Sequence, residues 1–274
     1  MSTSNVYLIL YSAASSLAHS AVIRLAVSCW LVMQTREPNV AAAPGSILPG
    51  PGKTLLAIDT CGPIGTVALG RSNCAESLHV AECLVMGQTA LEARSFSATL
   101  VKAAGDLLAA HGVGRPNGIL VVNGPGSFTV VRVGLSAAKG FAEAWQIPVA
   151  VVSRLEVMTA KSGEANAALD AHRHEVYLRL GGAGQASREF LAGVAELNAM
   201  APDRVAVCDE AAAALLEGAW AGVECIRTPP PTAGDALVHF SRRVMLDKIV
   251  DLALLDGHYL RRSDAEIFGE AKQP

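Results

Sequence analysis

The residues of this chain best placed to do chemistry lie in the stretch from Asn123 to Gly140, NGPGSFTVVRVGLSAAKG. Gly124, Gly126 and Ser127 sit between an apolar run, Gly118 to Val122, and a helical pattern in which Val131, Leu135, Ala138, Ala142 and Trp145 recur every three or four residues. That order predicts a buried strand, a tight turn and a helix start. The glycines let the backbone turn where a Cβ would clash, and Ser127 is expected to cap the helix by accepting a backbone N–H bond. A helix start of this kind offers free N–H groups and the positive end of the helix dipole, so it suits an anion or the phosphates of a nucleotide. No Lys-Ser/Thr pair follows the glycines and the dinucleotide fingerprint is absent, so a plain strand-to-helix turn fits the spacing as well as a phosphate cradle does. Asp59 is the second candidate. It ends the apolar run Leu55 to Ile58, where it can face a ligand or cap the turn Thr60-Cys61-Gly62-Pro63.

Other chemistries find few residues. The histidines are His19, His79, His111, His172, His174, His239 and His258, and no two are four apart, so no helix carries an HxxxH or HExxH metal pair. His172 and His174 are expected on one face of a strand, as solvated residues or a weak metal pair. GPGSF is not the G-x-S-x-G nucleophile elbow, and no triad is visible. Arg132 falls one turn into the helix, suited to an ion pair or to an anion. The six cysteines are scattered without a CxxC pair, which reads as free thiols in a reducing cytoplasm. The expectation is no catalytic residue, no metal and no intrinsic cofactor.

The elements that must position these residues follow an alternating order. Strands are expected at Leu55–Asp59, Thr66–Leu69 and near Leu78–Leu84, then a helix to about Gly112. The strand and helix around the glycine turn follow, then strand Val149–Val152 and a helix near Leu155–Lys161. A second set is expected at Ala167–Ala171, Glu175–Leu180 and Val205–Cys208, with a helix at Glu210–Gly218. After Pro229-Pro230-Pro231 comes a last helix, about Gly234 to Leu254, and an irregular tail from Asp256. Two or three meandering strands followed by alternating helices predict a mixed sheet covered by helices. The expected division is an extension and linker over 1–53, a first lobe over 54–163, a smaller second lobe over 164–230, and a terminal helix and tail over 231–274. Val6 to Met33 is apolar but interrupted by Arg24 and has no basic leader, so no membrane span is expected there. A net charge of −3 argues against a surface that binds nucleic acid throughout.

From Leu55 to Glu266 the ordered set of LLAIDT, GTVALG, ARSFS, NGPGSFTVVRVG, IPVAVVS, ALDAHRHEVY and YLRRSDAE resembles the TsaB family of bacterial threonylcarbamoyladenosine biosynthesis proteins, also known as glycoprotease-like or M22 homologues. The resemblance implies an α/β, two-lobed fold of the actin, Hsp70 and ribonuclease H (ASKHA) superfamily, with a degraded second lobe. In that superfamily the carboxylate ending the first strand, here Asp59, faces a metal–nucleotide complex. It implies a non-catalytic cytoplasmic subunit that supports TsaD in making N6-threonylcarbamoyladenosine at position 37 of tRNA and helps recruit the ATPase TsaE. ATP would enter only in the assembled complex, and tRNA only through it. Alone, the chain would form a homodimer through its first-lobe helices, the surface TsaD also uses, with Val130, Val133 and Phe141 as interface candidates. Three positions depart from the family pattern: Phe96 replaces a usual His, Val130-Val131 replaces Gly and Leu, and His258 stands where Pro is common. The rival readings are an ATP-binding phosphotransferase using Asp59 and the Gly124–Ser127 turn, and an M22-type peptidase.

Overall fold

The structure is a computed structural model. It describes residues 52–73, 82–92, 95–182, 185–200, 202–242 and 249–261. The chain divides into two compact units, Met1–Gly45 and Ser46–Pro274, and all described residues belong to the second. The expected extension at 1–53 lies almost wholly outside them.

The first sheet is built from β1 (Thr54–Asp59), β2 (Gly65–Asn73), β3 (Glu82–Leu91), β4 (Gly118–Val122), β5 (Val149–Val152) and β11 (Ile249–Val250), in the order β11-β5-β4-β1-β2-β3. β1, β2 and β3 form an antiparallel meander, while β1, β4 and β5 run parallel. Every residue of β1 and β4 is buried, as central parallel strands covered on both faces require. Full burial of side chains such as Leu56, Ile58 and Leu120 contributes about 1.5–3 kcal/mol each.

Two helices cover one face of this sheet: α1 (Phe96–Ala110) and α2 (Phe128–Trp145). Each turns an apolar stripe inward. On α2 the buried residues are Val131, Gly134, Leu135, Ala138 and Ala142, the spacing of one helix face.

The second sheet repeats the plan. β6 (Ala167–Asp170), β7 (Val176–Gly182) and β8 (Gln185–Ala192) form a meander, and β9 (Arg204–Val207) and β10 (Glu224–Arg227) continue it in parallel, in the order β10-β9-β6-β7-β8. The copy is reduced. Its first helix is the four-residue α4 (Val194–Leu197) and its second is the ten-residue α5 (Glu210–Ala219), where the first lobe has fifteen and eighteen residues. Trp220 closes this smaller core, its buried indole N–H donating to the Leu197 carbonyl at 2.6 Å.

The last helix of each set crosses over. α3 (Arg154–Ser162), which follows β5, packs on β6, β7 and β9 of the second sheet. α6 (Ala233–Arg242), which follows β10, packs on β1 to β4 of the first, burying Ala233, Ala236, Leu237 and Phe240 in its core. α3 and α6 therefore meet between the sheets, tied by Lys161–Asp235 at 2.8 Å and His239–Glu156 at 3.0 Å.

Three expectations need correction. The third strand is Glu82–Leu91, later and longer than the Leu78–Leu84 run, whose residues before 82 lie outside the described ones. The last helix is described from Ala233 to Arg242 and does not run on to Leu254: beyond residues 243–248, which are not described, Ile249–Val250 pairs with β5 as an edge strand. His172 and His174 are not strand residues. With Arg173 they form the exposed β6–β7 turn, all three at φ near +60°. Asp170 holds that turn by accepting the His172 N–H at 2.8 Å.

Candidate functional site

The two turns singled out from sequence meet at the carboxyl ends of β1 and β4. Asp59 is 2 % exposed, and its Oδ1 accepts the Cys61 N–H at 2.8 Å, closing the turn after β1. Burial raises the Asp59 pKa, opposed by the nearby Arg154 cation and by the bond from Cys61. Thr60 donates from its hydroxyl to the Val130 carbonyl at 2.6 Å, fastening this turn to the first turn of α2. The Cys61 thiol donates to the Val122 carbonyl at 3.2 Å. Burial, and then the Asp59 charge, push that thiol well above its ordinary range, so it stays protonated and is a poor nucleophile.

Gly124 has φ +117°, a conformation glycine adopts without strain, and the Gly124–Pro125 peptide is cis. Gly126 lies against the preceding turn: a Cβ on it would stand 2.5 Å from the Cys61 carbonyl oxygen. A Cβ on Gly124 would stand 3.0 Å from the His258 carbonyl oxygen. Both glycines thus face carbonyl oxygens of this chain. Ser127 is exposed at the helix start, but its side chain makes no capping bond, contrary to expectation. Only its carbonyl takes part, accepting the Val131 N–H at 3.0 Å. Its backbone is extended, as at the capping Ser153 of α3, so the difference lies in the direction of the side chain.

Sequence reading missed Arg154. It opens α3, is 7 % exposed, and donates its backbone N–H to the Gly124 carbonyl at 2.6 Å. Its guanidinium lies on Gly62, where a Cβ would come within 2.5 Å of Nη2, and its buried Nε has no hydrogen-bond partner among the described residues. The signal was available: Arg154 and Glu156 are charged residues in the otherwise apolar VAVVSRLEVM, and both are buried.

A second polar cluster also went unread. The Glu189 side chain of β8 is 8 % exposed and accepts from Arg179 at 2.6 Å and from the Ser153 hydroxyl at 2.6 Å, and His258 Nε2 lies 2.8 Å from it. Burial works to raise the Glu189 pKa, but the bonds from His258, Ser153 and Arg179 outweigh it and hold the carboxyl below its usual value. Ser, His and Glu meet here in the wrong order for hydrolysis. The carboxylate stands between serine and imidazole, so Ser153 donates to Glu189 and not to the His258 ring, unlike the serine–imidazole contact of a hydrolytic triad. Among the described residues no group of three or more His, Cys, Asp or Glu is arranged to hold a metal.

The interface candidates sit on the α1/α2 face. Val130, Val133 and Phe141 are half-buried and pack on the first core, and Phe141 stacks on Trp145 at 4.7 Å. The more exposed apolar residue of this face is Val101 on α1, at 58 %. Gly105 on α1 and Gly140 on α2 are exposed, with nothing within 4 Å of where their Cβ atoms would be. Phe96, at the start of α1, is buried against Gly65 and Leu91. Among the described residues no helix is long and apolar enough to cross a membrane.

Comparisons with known proteins agree on one family. The family model described as TsaD, tRNA N6-adenosine threonylcarbamoyltransferase, matches residues 90–239, more than half of the chain. The chain is 33% identical over 132 residues to the tRNA threonylcarbamoyladenosine biosynthesis protein TsaB of Haemophilus influenzae, covering 45% of this chain and 52% of that protein. It is 41% identical over 66 residues to TsaB of Bacillus subtilis, covering 23% of this chain and 29% of that one. The matches thus span about half, or less, of the curated relatives' length. Among solved structures, a Pseudomonas aeruginosa protein described as similar to the peptidase YeaZ superposes with a TM-score of 0.59 at 25% identity, covering 76% of this chain and all of that one. YeaZ from Pseudomonas aeruginosa superposes with a TM-score of 0.58 at 23% identity over the same shares, which shows the fold.

Proposed function

We propose that this chain, which belongs to the TsaD family and is of its TsaB type, is a non-catalytic subunit of the machinery that makes N6-threonylcarbamoyladenosine in tRNA. In this reading a TsaD homologue carries out the transfer. The chain supports it through the α1/α2 face and helps recruit a TsaE homologue. Alone it pairs with a second copy through the same face, and tRNA and ATP are engaged only in the assembled complex.

The observation that carries the reading is the make-up of that face. Val101 is an exposed apolar residue, and Gly105 and Gly140 are exposed glycines inside helices with no neighbour among the described residues that requires them. A mid-helix glycine costs about 1 kcal/mol relative to alanine. Two such positions on one face suit close approach by another helix. The strand-end turns support the same reading from the other side. The space over Gly126 and Gly124 is taken by carbonyl oxygens, which repel an anion, and the Cys61 thiol is held protonated.

Co-elution with the TsaD homologue of the same organism on size exclusion tests the proposal. The wild-type chain is expected to form the complex and Val101→Glu to lose it while keeping its fold. Titration of ATP into the isolated chain tests the phosphotransferase alternative, which requires measurable heat of binding without a partner.

A further inference from the structure

After β11 the chain crosses from one lobe to the other in a few residues. Leu255 is 3 % exposed in the core of the first lobe. His258 donates its backbone N–H to the Asn123 carbonyl at 2.6 Å and lays its own carbonyl over Gly124. Tyr259 packs against the first core and sets its ring 4.9 Å from Phe128, while its hydroxyl accepts from Arg132 Nε at 3.2 Å. These are first-lobe anchors. The second-lobe anchors are interleaved with them. The His258 ring reaches Glu189 on β8, and Leu260 packs among Leu155, Met158 and Leu169. Arg261 donates to the Ala171 carbonyl at 2.8 Å and pairs with Glu175.

We infer that Leu255–Arg261 is a clasp that holds the strand ends of the two lobes together, with the His258–Glu189 contact as its catch. The segment has no regular secondary structure of its own. Its order comes from contacts to both lobes, so a change in the angle between them must break one set or the other. Beneath it lie the turns after β1 and β4 and the buried Arg154. Release of the clasp would admit solvent there. The inference does not rest on the proposed role in tRNA modification, because it concerns the isolated chain.

Cysteine accessibility in the full chain reads the state of the clasp. Cys61 is buried at the turn under the clasp, whereas Cys225 lies on β10 at the far edge of the second sheet. Alkylation of each thiol under native conditions, mapped by peptide mass spectrometry, is compared between wild type and the triple variant His258→Ala, Tyr259→Ala, Arg261→Ala. The expected result is at least a tenfold rise in the Cys61 rate with the Cys225 rate unchanged. An unchanged Cys61 rate in the folded variant overturns the inference. So does an equal rise at both thiols, which marks general loosening. If the triple variant does not fold, Glu189→Gln replaces it. That change keeps the shape and removes the charge of the catch, and a smaller rise confined to Cys61 is then required.

Discussion

Three glycines on the first-lobe helices should respond to alanine in opposite ways. Gly105 and Gly140 are exposed, helical and surrounded by open space. Alanine there adds a methyl that meets nothing among the described residues and removes the entropic penalty of glycine, a gain of about 0.5–1 kcal/mol at each site. The double variant Gly105→Ala, Gly140→Ala should therefore melt roughly 2–8 °C higher, at about 2–4 °C per kcal/mol for a chain of this size. Gly134 is the control on the same helix as Gly140. A Cβ there would stand 2.5 Å from the Thr60 hydroxyl, which is bonded to the Val130 carbonyl. Overlap of that kind costs about 1–3 kcal/mol, enough to cancel the helix gain and destabilise the fold. The binding readout separates stability from function. If another helix approaches over Gly105 and Gly140, two new methyl groups should cost about 1–3 kcal/mol of association, or roughly 5- to 150-fold in Kd. Thermal melts at a dilution where sedimentation shows a monomer, and titration of the TsaD homologue, measure the two halves. A double variant that is more stable and binds undiminished would refute the assignment of the glycines to the partner. One that is not stabilised would refute the helix argument itself.

Other expectations follow from single contacts. Val101→Glu places a charge on the exposed α1 face, where burial without a partner costs several kcal/mol, so binding should fall by two orders of magnitude or more with circular dichroism unchanged. Retained co-elution would move the interface elsewhere. Trp220→Phe removes one of two donors to the Leu197 carbonyl, which keeps the Met200 N–H at 2.9 Å, so the lost bond should cost about 0.5–1.5 kcal/mol, readable as a lower urea midpoint at constant slope. Glu189 has a lowered pKa in the fold, so its charged form contributes stability that is fully present above the ordinary glutamate pKa and is lost as pH falls through the folded value. The stability difference between wild type and Glu189→Gln should accordingly be largest near pH 7 and shrink below about pH 4.5. A difference independent of pH would show that the charge contributes nothing.

The strands and helices of the first lobe were legible because their patterns are local. Burial on both faces makes β1 and β4 unbroken apolar runs, and the 3.6-residue period of α2 is plain from Val131 to Ala142. What failed to show was set by distant neighbours. Nothing near Arg154 announces that it packs on Gly62, which is ninety-two positions earlier. Glu189 reads as an ordinary polar residue of an edge strand until Arg179, Ser153 and His258 arrive from three other elements. The length of the last helix was overestimated because apolar residues continue past Arg242, but those at 249 and 250 extend the first sheet instead. Ser127 looked like a cap by type and place, yet capping depends on the direction of a side chain that sequence does not give.

The crossing of α3 and α6 explains why so reduced a second lobe persists. Each sheet lacks a cover on its inner face until the last helix of the other set supplies it, so neither lobe completes its core alone. Shortening therefore falls on the outer helices, α4 and α5, which serve only their own sheet. The inner helices are held together by Lys161–Asp235 and His239–Glu156. The same logic accommodates the departure at position 96. Phe96 fills the space over Gly65, where a Cβ would stand 3.1 Å from its ring, so an aromatic apolar side chain and a glycine are matched to each other in the outer layer of the first lobe. An imidazole there would lose water without gaining an acceptor from these two neighbours. The inner side of α1 is thus core at Phe96, while the outward face of the same helix leaves Val101 and Gly105 open.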